Sequence, residues 1–194
     1  MRSGSSERTT RETVVRATIT LNISGNREIA TGQVMLDHLL DQFAFHAGCA
    51  VEVTARSLDS IAHHVVEDVA LTLGCALSKA LDDRCGIARF GSATIAMDDA
   101  LARAAVDLGG RPYARTDFGL TAQRVEDLDT VMLPHFFRSF ASSAGLTVHI
   151  DVLHGFDPHH CIEASFKAFA QACCMAWSPG LAMSGALPST KGLL

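Results

Sequence analysis

Tryptophan and tyrosine occur once each in this 194-residue chain, so it carries no aromatic platform of the kind that stacks on nucleic-acid bases. It has no basic run either. The formal charge is −5, and electrostatics give no reason to expect nucleic acid as a partner. No apolar stretch approaches the roughly 18 residues that cross a bilayer, so no membrane partner is expected. The opening MRSGSSERTTRE lacks the apolar core of a secretion signal, which points to a cytoplasmic protein. None of the six cysteines, at 49, 75, 85, 161, 173 and 174, forms a C-x-x-C pair. Several lie in apolar runs, the expected setting for reduced, buried thiols in the cytosol. A composition 48% hydrophobic and 19% charged is sufficient to bury a core.

Histidine is abundant, with nine residues, most of them in two clusters. HHVVE at His63 to Glu67 returns as HHCIE at His159 to Glu163. The echo extends upstream. LDHLLDQFAFHAG, Leu36 to Gly48, and LPHFFRSFASSAG, Leu133 to Gly145, share Leu, His, Phe, Ala and the closing Ala-Gly at a constant offset. CAVEV and LTVHI follow, then the pentads, the first after a connection one residue longer. Order and spacing of this kind mark a duplicated unit.

Each copy predicts a helix stopped by glycine, then a strand, then a long helix opened by the pentad. Further strands are predicted in TVVRATITLNI, SATIAMD, LARAAVDL and YARTDF. Strands and helices mix without strict βαβ alternation, so the expected class is α+β. The expected organisation is a tandem duplication: half-domains at 1–92 and 93–178 sharing one core, and a Gly/Pro/Ser-rich tail at 179–194 along the surface.

On a helix, positions i, i+3 and i+4 share a face. Glu67 is thus expected near His63 and His64, and Glu163 near His159 and His160. Adjacent histidines point about 100° apart and cannot easily grip one metal together. The duplication adds a matched histidine on each shorter helix, His38 and His135. The total is six imidazoles and two carboxylates. Divided evenly, each of two metals would receive three His and one Glu. Imidazole with carboxylate suits Mn2+ or Fe2+, with Zn2+ also admissible. Four ligands on an octahedral ion would leave two positions for water or substrate, a catalytic arrangement. His46 and His149 break the repeat, since their counterparts are Ser143 and Glu52. His46 is a candidate to face a pocket, His149 reads as a strand residue, and His154 has no assigned role.

The blocks RETVVRA, TGQVMLDHLLDQ, HHVVEDVALTLG, GIARFGSA, DLGGRPY, HFFRSFA, HHCIEASFKAF and PSTKG, in this order, resemble the imidazoleglycerol-phosphate dehydratases of histidine biosynthesis over nearly the whole chain. The resemblance implies helices sandwiched between two mixed sheets. It implies two Mn2+ per active site, with ligands at His38, His63, His64, Glu67, His135, His159, His160 and Glu163. It also implies a homo-oligomeric cage of about 24 chains, in which neighbours share the metal sites. The substrate class carries an imidazole, two hydroxyls and a phosphate. Arg89, Arg111, Ser189, Thr190 and Lys191 match the phosphate contacts, where guanidinium forks and an ammonium suit the oxygens. Glu12, His38, His46, His63, His159 and Lys167 are further substrate-binding candidates. Glu12 matches an active-site glutamate and is the first choice for proton transfer, with Glu67 and Glu163 as other catalytic carboxylates. The implied reaction removes water and leaves an enol that becomes a ketone. Loss of the imidazole proton would let ring electrons expel the adjacent hydroxyl and acidify the next C–H.

The chain departs from the family pattern ahead of the first pentad. Ile61 and Ala62 stand where Asp-Asp or Asp-Ala is common, Val65 replaces a common Thr, and the connection is about one residue short. Such an acid would orient ligand imidazoles, so its loss bears on metal affinity or turnover. Asp98-Asp99 replaces a common Asp-Glu. Two rival readings are a cage-forming metal binder with impaired catalysis and a di-metal phosphatase.

Overall fold

The computed structural model describes residues 1–23, 25–180 and 185–194. The first half runs β1 (Ser3–Thr9), β2 (Thr13–Thr20), β3 (Arg27–Ala30), α1 (Val34–Ala47), β4 (Ala50–Ser57) and α2 (Ala62–Leu81). The second runs β5 (Phe90–Met97), β6 (Ala100–Asp107), β7 (Tyr113–Asp117), a small hairpin of β8 (Arg124–Val125) and β9 (Leu128–Asp129), then α3 (Met132–Ala144), β10 (Thr147–His154) and α4 (Pro158–Trp177). The two sheets have matching orders, β1-β2-β4-β3 and β5-β6-β10-β7. In each, the last pair is parallel and the others antiparallel. The expected α+β duplication with mixed sheets is therefore present.

In β2 every second residue is buried, and the alternation turns Val15, Ala17 and Ile19 onto the helices. β1 is almost wholly polar, and its strand character comes from its partner. Ser3 meets Thr20 at 2.8 Å and Ser5 meets Thr18 at 3.0 Å, hydroxyl to hydroxyl, across the exposed face. α1 and α3 each end on a glycine in the left-handed region, Gly48 at φ 61° and Gly145 at φ 62°. Arg84 fastens the second end further, its guanidinium donating to the carbonyls of Ala144, Gly145 and Leu108.

The helices form the middle layers. α2 packs on β1 and β2, and α4 on β5 and β6. The helix partners cross between halves, however: α2 lies on α3, and α1 on α4. Glycine makes the close approaches possible. A Cβ on Gly4 would sit 2.2 Å from the Ala76 carbonyl oxygen, and one on Gly91 would sit 1.9 Å from that of Ala172. The centre holds Leu40, Phe43, Leu73, Phe136, Phe140, Phe166 and Phe169. Phe43 stacks on Phe169 at 5.3 Å, and Phe137 meets Phe169 edge-on at 5.2 Å. No helix among the described residues is long and apolar enough to cross a membrane.

Candidate metal centres

The crossed helix packing decides which histidines meet. His38 on α1 faces the second pentad: its Nε2 lies 2.8 Å from Glu163 Oε2, and His159 Nε2 lies 3.2 Å from the same oxygen. His135 on α3 faces the first pentad, 3.5 Å from Glu67 Oε2, which is 3.9 Å from His63 Nε2. Each group thus takes its pentad from one half and its short-helix histidine from the other. In both, ligand atoms fall within 4.8 Å of one another.

Helical spacing predicts Glu67 and Glu163 beside both histidines of their pentads. Among the described residues, ion-pair contact is made only with the first, His63 and His159. The second histidines turn away from these glutamates, held by aspartates. His64 Nδ1 lies 2.6 Å from Asp59 Oδ2, and His160 Nδ1 lies 2.6 Å from Asp99 Oδ1. The even division into three His and one Glu is therefore not assembled within one chain; each cluster has two His and one Glu. Asp59 reaches His64 from the loop ahead of positions 61 and 62, a contact the sequence did not suggest. Glu12 also lies here, its Oε2 3.8 Å from His64 Nδ1.

The electrostatics of the groups differ. Burial works to raise the Glu163 carboxyl, but hydrogen bonds and charge from Lys167 and His38 outweigh it and hold its pKa at about 2. Lys167 Nζ sits 2.7 Å from Glu163 Oε1. Donating a hydrogen bond to the Asp59 carboxylate raises the pKa of His64 above its ordinary value, and donating to Asp99 does the same for His160. Asp99 lies well below the carboxylate range because the backbone N–H of Asp157, the His160 ring and the N–H of Phe156 all bond it. His46, in the last turn of α1, is lowered by burial and by the nearby Lys167.

Helix ends set the positions of these side chains. α4 opens with Pro158 after Asp157, whose carboxylate accepts from the backbone N–H of His159 and His160. α2 has no side-chain cap at Ile61. α1 also lacks a cap of its own. Asp127, in the β8–β9 hairpin, accepts from the backbone N–H of Val34 and Met35 instead.

The donor sets fit a divalent first-row ion, since imidazole nitrogens and a carboxylate converge in each. One observation is independent of residue type. His135 Nε2 is buried and has no hydrogen-bond partner among the described residues. Such an atom normally finds a donor, an acceptor or a ligand.

The anion-binding candidates gather elsewhere. Arg89 donates to Asp107 at 2.7 and 3.2 Å and to the Pro188 carbonyl at 2.9 Å. Arg111 lies 3.7 Å from Asp107. In the tail, the Lys191 N–H donates to Ser189 Oγ at 3.2 Å, and Thr190 is exposed. Among the described residues, no ion pair or hydrogen bond links this group to either histidine cluster.

Comparison with known proteins places these features in a family. The family model described as Imidazoleglycerol-phosphate dehydratase matches residues 31–173. A protein of that name from Chlorobium chlorochromatii is 46% identical over 194 residues, covering 100% of this chain and 97% of its own. One from Cereibacter sphaeroides is 42% identical over 197 residues, with both chains fully covered. The crystal structure of the Staphylococcus aureus imidazoleglycerol-phosphate dehydratase superposes with a TM-score of 0.81 at 34% identity, over 91% of this chain and 99% of that one. That of the Pyrococcus furiosus IGPD gives 0.83 at 36% identity, over 97% and 99%.

Proposed function

This chain belongs to the imidazoleglycerol-phosphate dehydratase family of hydro-lyases, and from that premise we propose that it is a metal-dependent enzyme converting imidazole glycerol phosphate to imidazole acetol phosphate and water in the cytoplasm. The observation that supports metal dependence is the pair of His–His–Glu groups assembled across the halves. In this reading His38, His159 and Glu163 hold one Mn2+, and His63, Glu67 and His135 hold the other. His64 and His160, held at Nδ1 by aspartates, offer their Nε2 atoms to ions held by neighbouring chains of a homo-oligomer, for which the family resemblance gives a cage. The bound cations supply Lewis acidity and a template for the substrate azole.

The chain's own groups do the rest. Glu12 is the proton-transfer group: its carboxylate has no hydrogen bond from another side chain among the described residues, so its oxygens are available. Glu163 is a poor base, being committed to Lys167 and His38. Glu67 is more open and is the alternative carboxylate. Lys167 and His46 line the approach beside His38. Arg89, Arg111, Ser189, Thr190 and Lys191 hold the phosphate, with Asp107 fixing the plane of the Arg89 fork.

The test is formation of imidazole acetol phosphate by the Mn2+-saturated assembly. Wild type should make product, and Glu12→Gln should be slower by about 10²- to 10⁴-fold with unchanged metal content. Absence of wild-type product would favour a metal-binding homologue without turnover. Release of inorganic phosphate instead would favour a phosphatase.

A further inference from the structure

We infer that Asp59 is a positioning residue that orients His64 toward a metal and, by doing so, leaves Glu12 free for proton transfer; the inference rests on the metal-dependent reading above. Glu12 and Asp99 hold matching places, each the last residue of a hairpin turn, before β2 at Thr13 and before β6 at Ala100. In the second half that turn carboxylate is spent on the imidazole, with Asp99 Oδ1 2.6 Å from His160 Nδ1. Its other oxygen is pinned by the N–H of Phe156 at 2.7 Å and of Asp157 at 3.0 Å.

In the first half the same task has moved to another loop. Asp59 Oδ2 is 2.6 Å from His64 Nδ1. Asp59 Oδ1 accepts from the Ile61 N–H at 2.9 Å and from the Ser57 hydroxyl at 3.2 Å. Ser60, at φ 65°, closes this turn, and its N–H donates to Ser57 Oγ at 2.9 Å. Both carboxylates are thus fixed through backbone N–H groups before they meet their rings.

An imidazole Nδ1 has one proton to give, so a carboxylate bound there fixes the tautomer and leaves Nε2 as the donor atom for a metal. Glu12, 3.8 Å from the same Nδ1, is the competitor that Asp59 displaces. The departure at Ile61 and Ala62 therefore need not cost the orienting acid, because the shortened loop brings in its own.

The experiment titrates Mn2+ calorimetrically into metal-stripped, assembled protein in four forms: wild type, Glu12→Gln, Asp59→Asn and the double variant. Glu12→Gln should bind as wild type. In Asp59→Asn, Glu12 takes over His64, so affinity should fall less than about threefold while turnover falls toward that of Glu12→Gln. With both carboxylates gone, affinity should fall about 10- to 100-fold, the usual cost of losing a ligand's orienting partner. Asp59→Ser should repeat the pattern, and assembly mass confirms folding of each form. A double variant that binds like Glu12→Gln overturns the orienting role. Wild-type turnover in Asp59→Asn overturns the freeing of Glu12. A wild-type assembly that takes up no Mn2+ overturns the inference together with the metal-dependent reading.

Discussion

Glu163 and Glu67 occupy the same place in the repeat, yet the first is 7% exposed with an ammonium 2.7 Å away, and the second is 38% exposed with a leucine, Leu71, at the position of that lysine. The duplication preserved the residues a cation would need and let their surroundings diverge. In the α4 group the carboxylate charge is already compensated, and an incoming ion would compete with Lys167. In the α2 group the carboxylate has no lysine beside it, only His135 at 3.5 Å and His63 at 3.9 Å, and the buried His135 Nε2 makes no hydrogen bond among the described residues. The cores diverge in the same way. Leu39, Leu40, Ala70 and Leu73 in the first half correspond to Phe136, Phe137, Phe166 and Phe169 in the second. Small and aliphatic side chains from one half thus fill against aromatic ones from the other, which gives close packing without requiring the halves to be identical.

The largest effects should come from removing one short-helix histidine. His135→Asn and His38→Asn should each cost about one Mn2+ per chain, read by elemental analysis. Each should lower turnover about a hundredfold or more, given the several kcal/mol of charge stabilisation a metal supplies. If either change strips both ions, the groups act as one centre and the contrast between them fails. Next in size are the glycine contacts. Gly91→Ala and Gly4→Ala should each destabilise the fold by roughly 3 kcal/mol or more, since backbone carbonyls block the new Cβ. Thermal melting checks this, and unequal losses would show that one sheet yields more readily.

A smaller effect is expected from Lys167→Leu, which copies the first group onto the second. The weaker of the two Mn2+ affinities should tighten by about tenfold, or about 1.4 kcal/mol, and the two sites should become alike. Unchanged affinities would mean that Lys167 does not compete. Smallest is an acid effect on the second sheet. Hydrogen bonds from Arg103 and Arg115 hold the Asp151 carboxyl below its ordinary 3.8, against burial, whereas the first sheet has Thr54 at that position. The stabilisation is therefore present above that ordinary value and lost as pH falls through the depressed one. Asp151→Asn should flatten the loss of stability below pH 4, by less than about 1 kcal/mol for so open a pair, in acid unfolding curves.

Much of this was legible in the residues. The glycine stops after α1 and α3, the strands β2, β5, β6 and β7 and the two pentad helices lie where pattern put them, because these features are local. The histidines and glutamates stood out as a set because they repeat. What escaped was non-local. Spacing on one helix cannot reveal that α1 lies on α4, and so cannot pair His38 with the second pentad. β1 hides because Ser, Gly and Thr carry no apolar alternation, and only its pairing with β2 makes it a strand. Asp59 escaped because the resemblance directed attention to positions 61 and 62, whereas a tight turn delivers the acid from farther back.

The exchange of helices between halves has a bearing on divisibility. If the chain were severed after Leu81, each fragment would keep a complete pentad but lose the imidazole that faces it. Kept apart from the other, either fragment could regain a three-ligand cluster by embracing a second copy of itself, a two-body version of what the intact chain holds within one covalent strand.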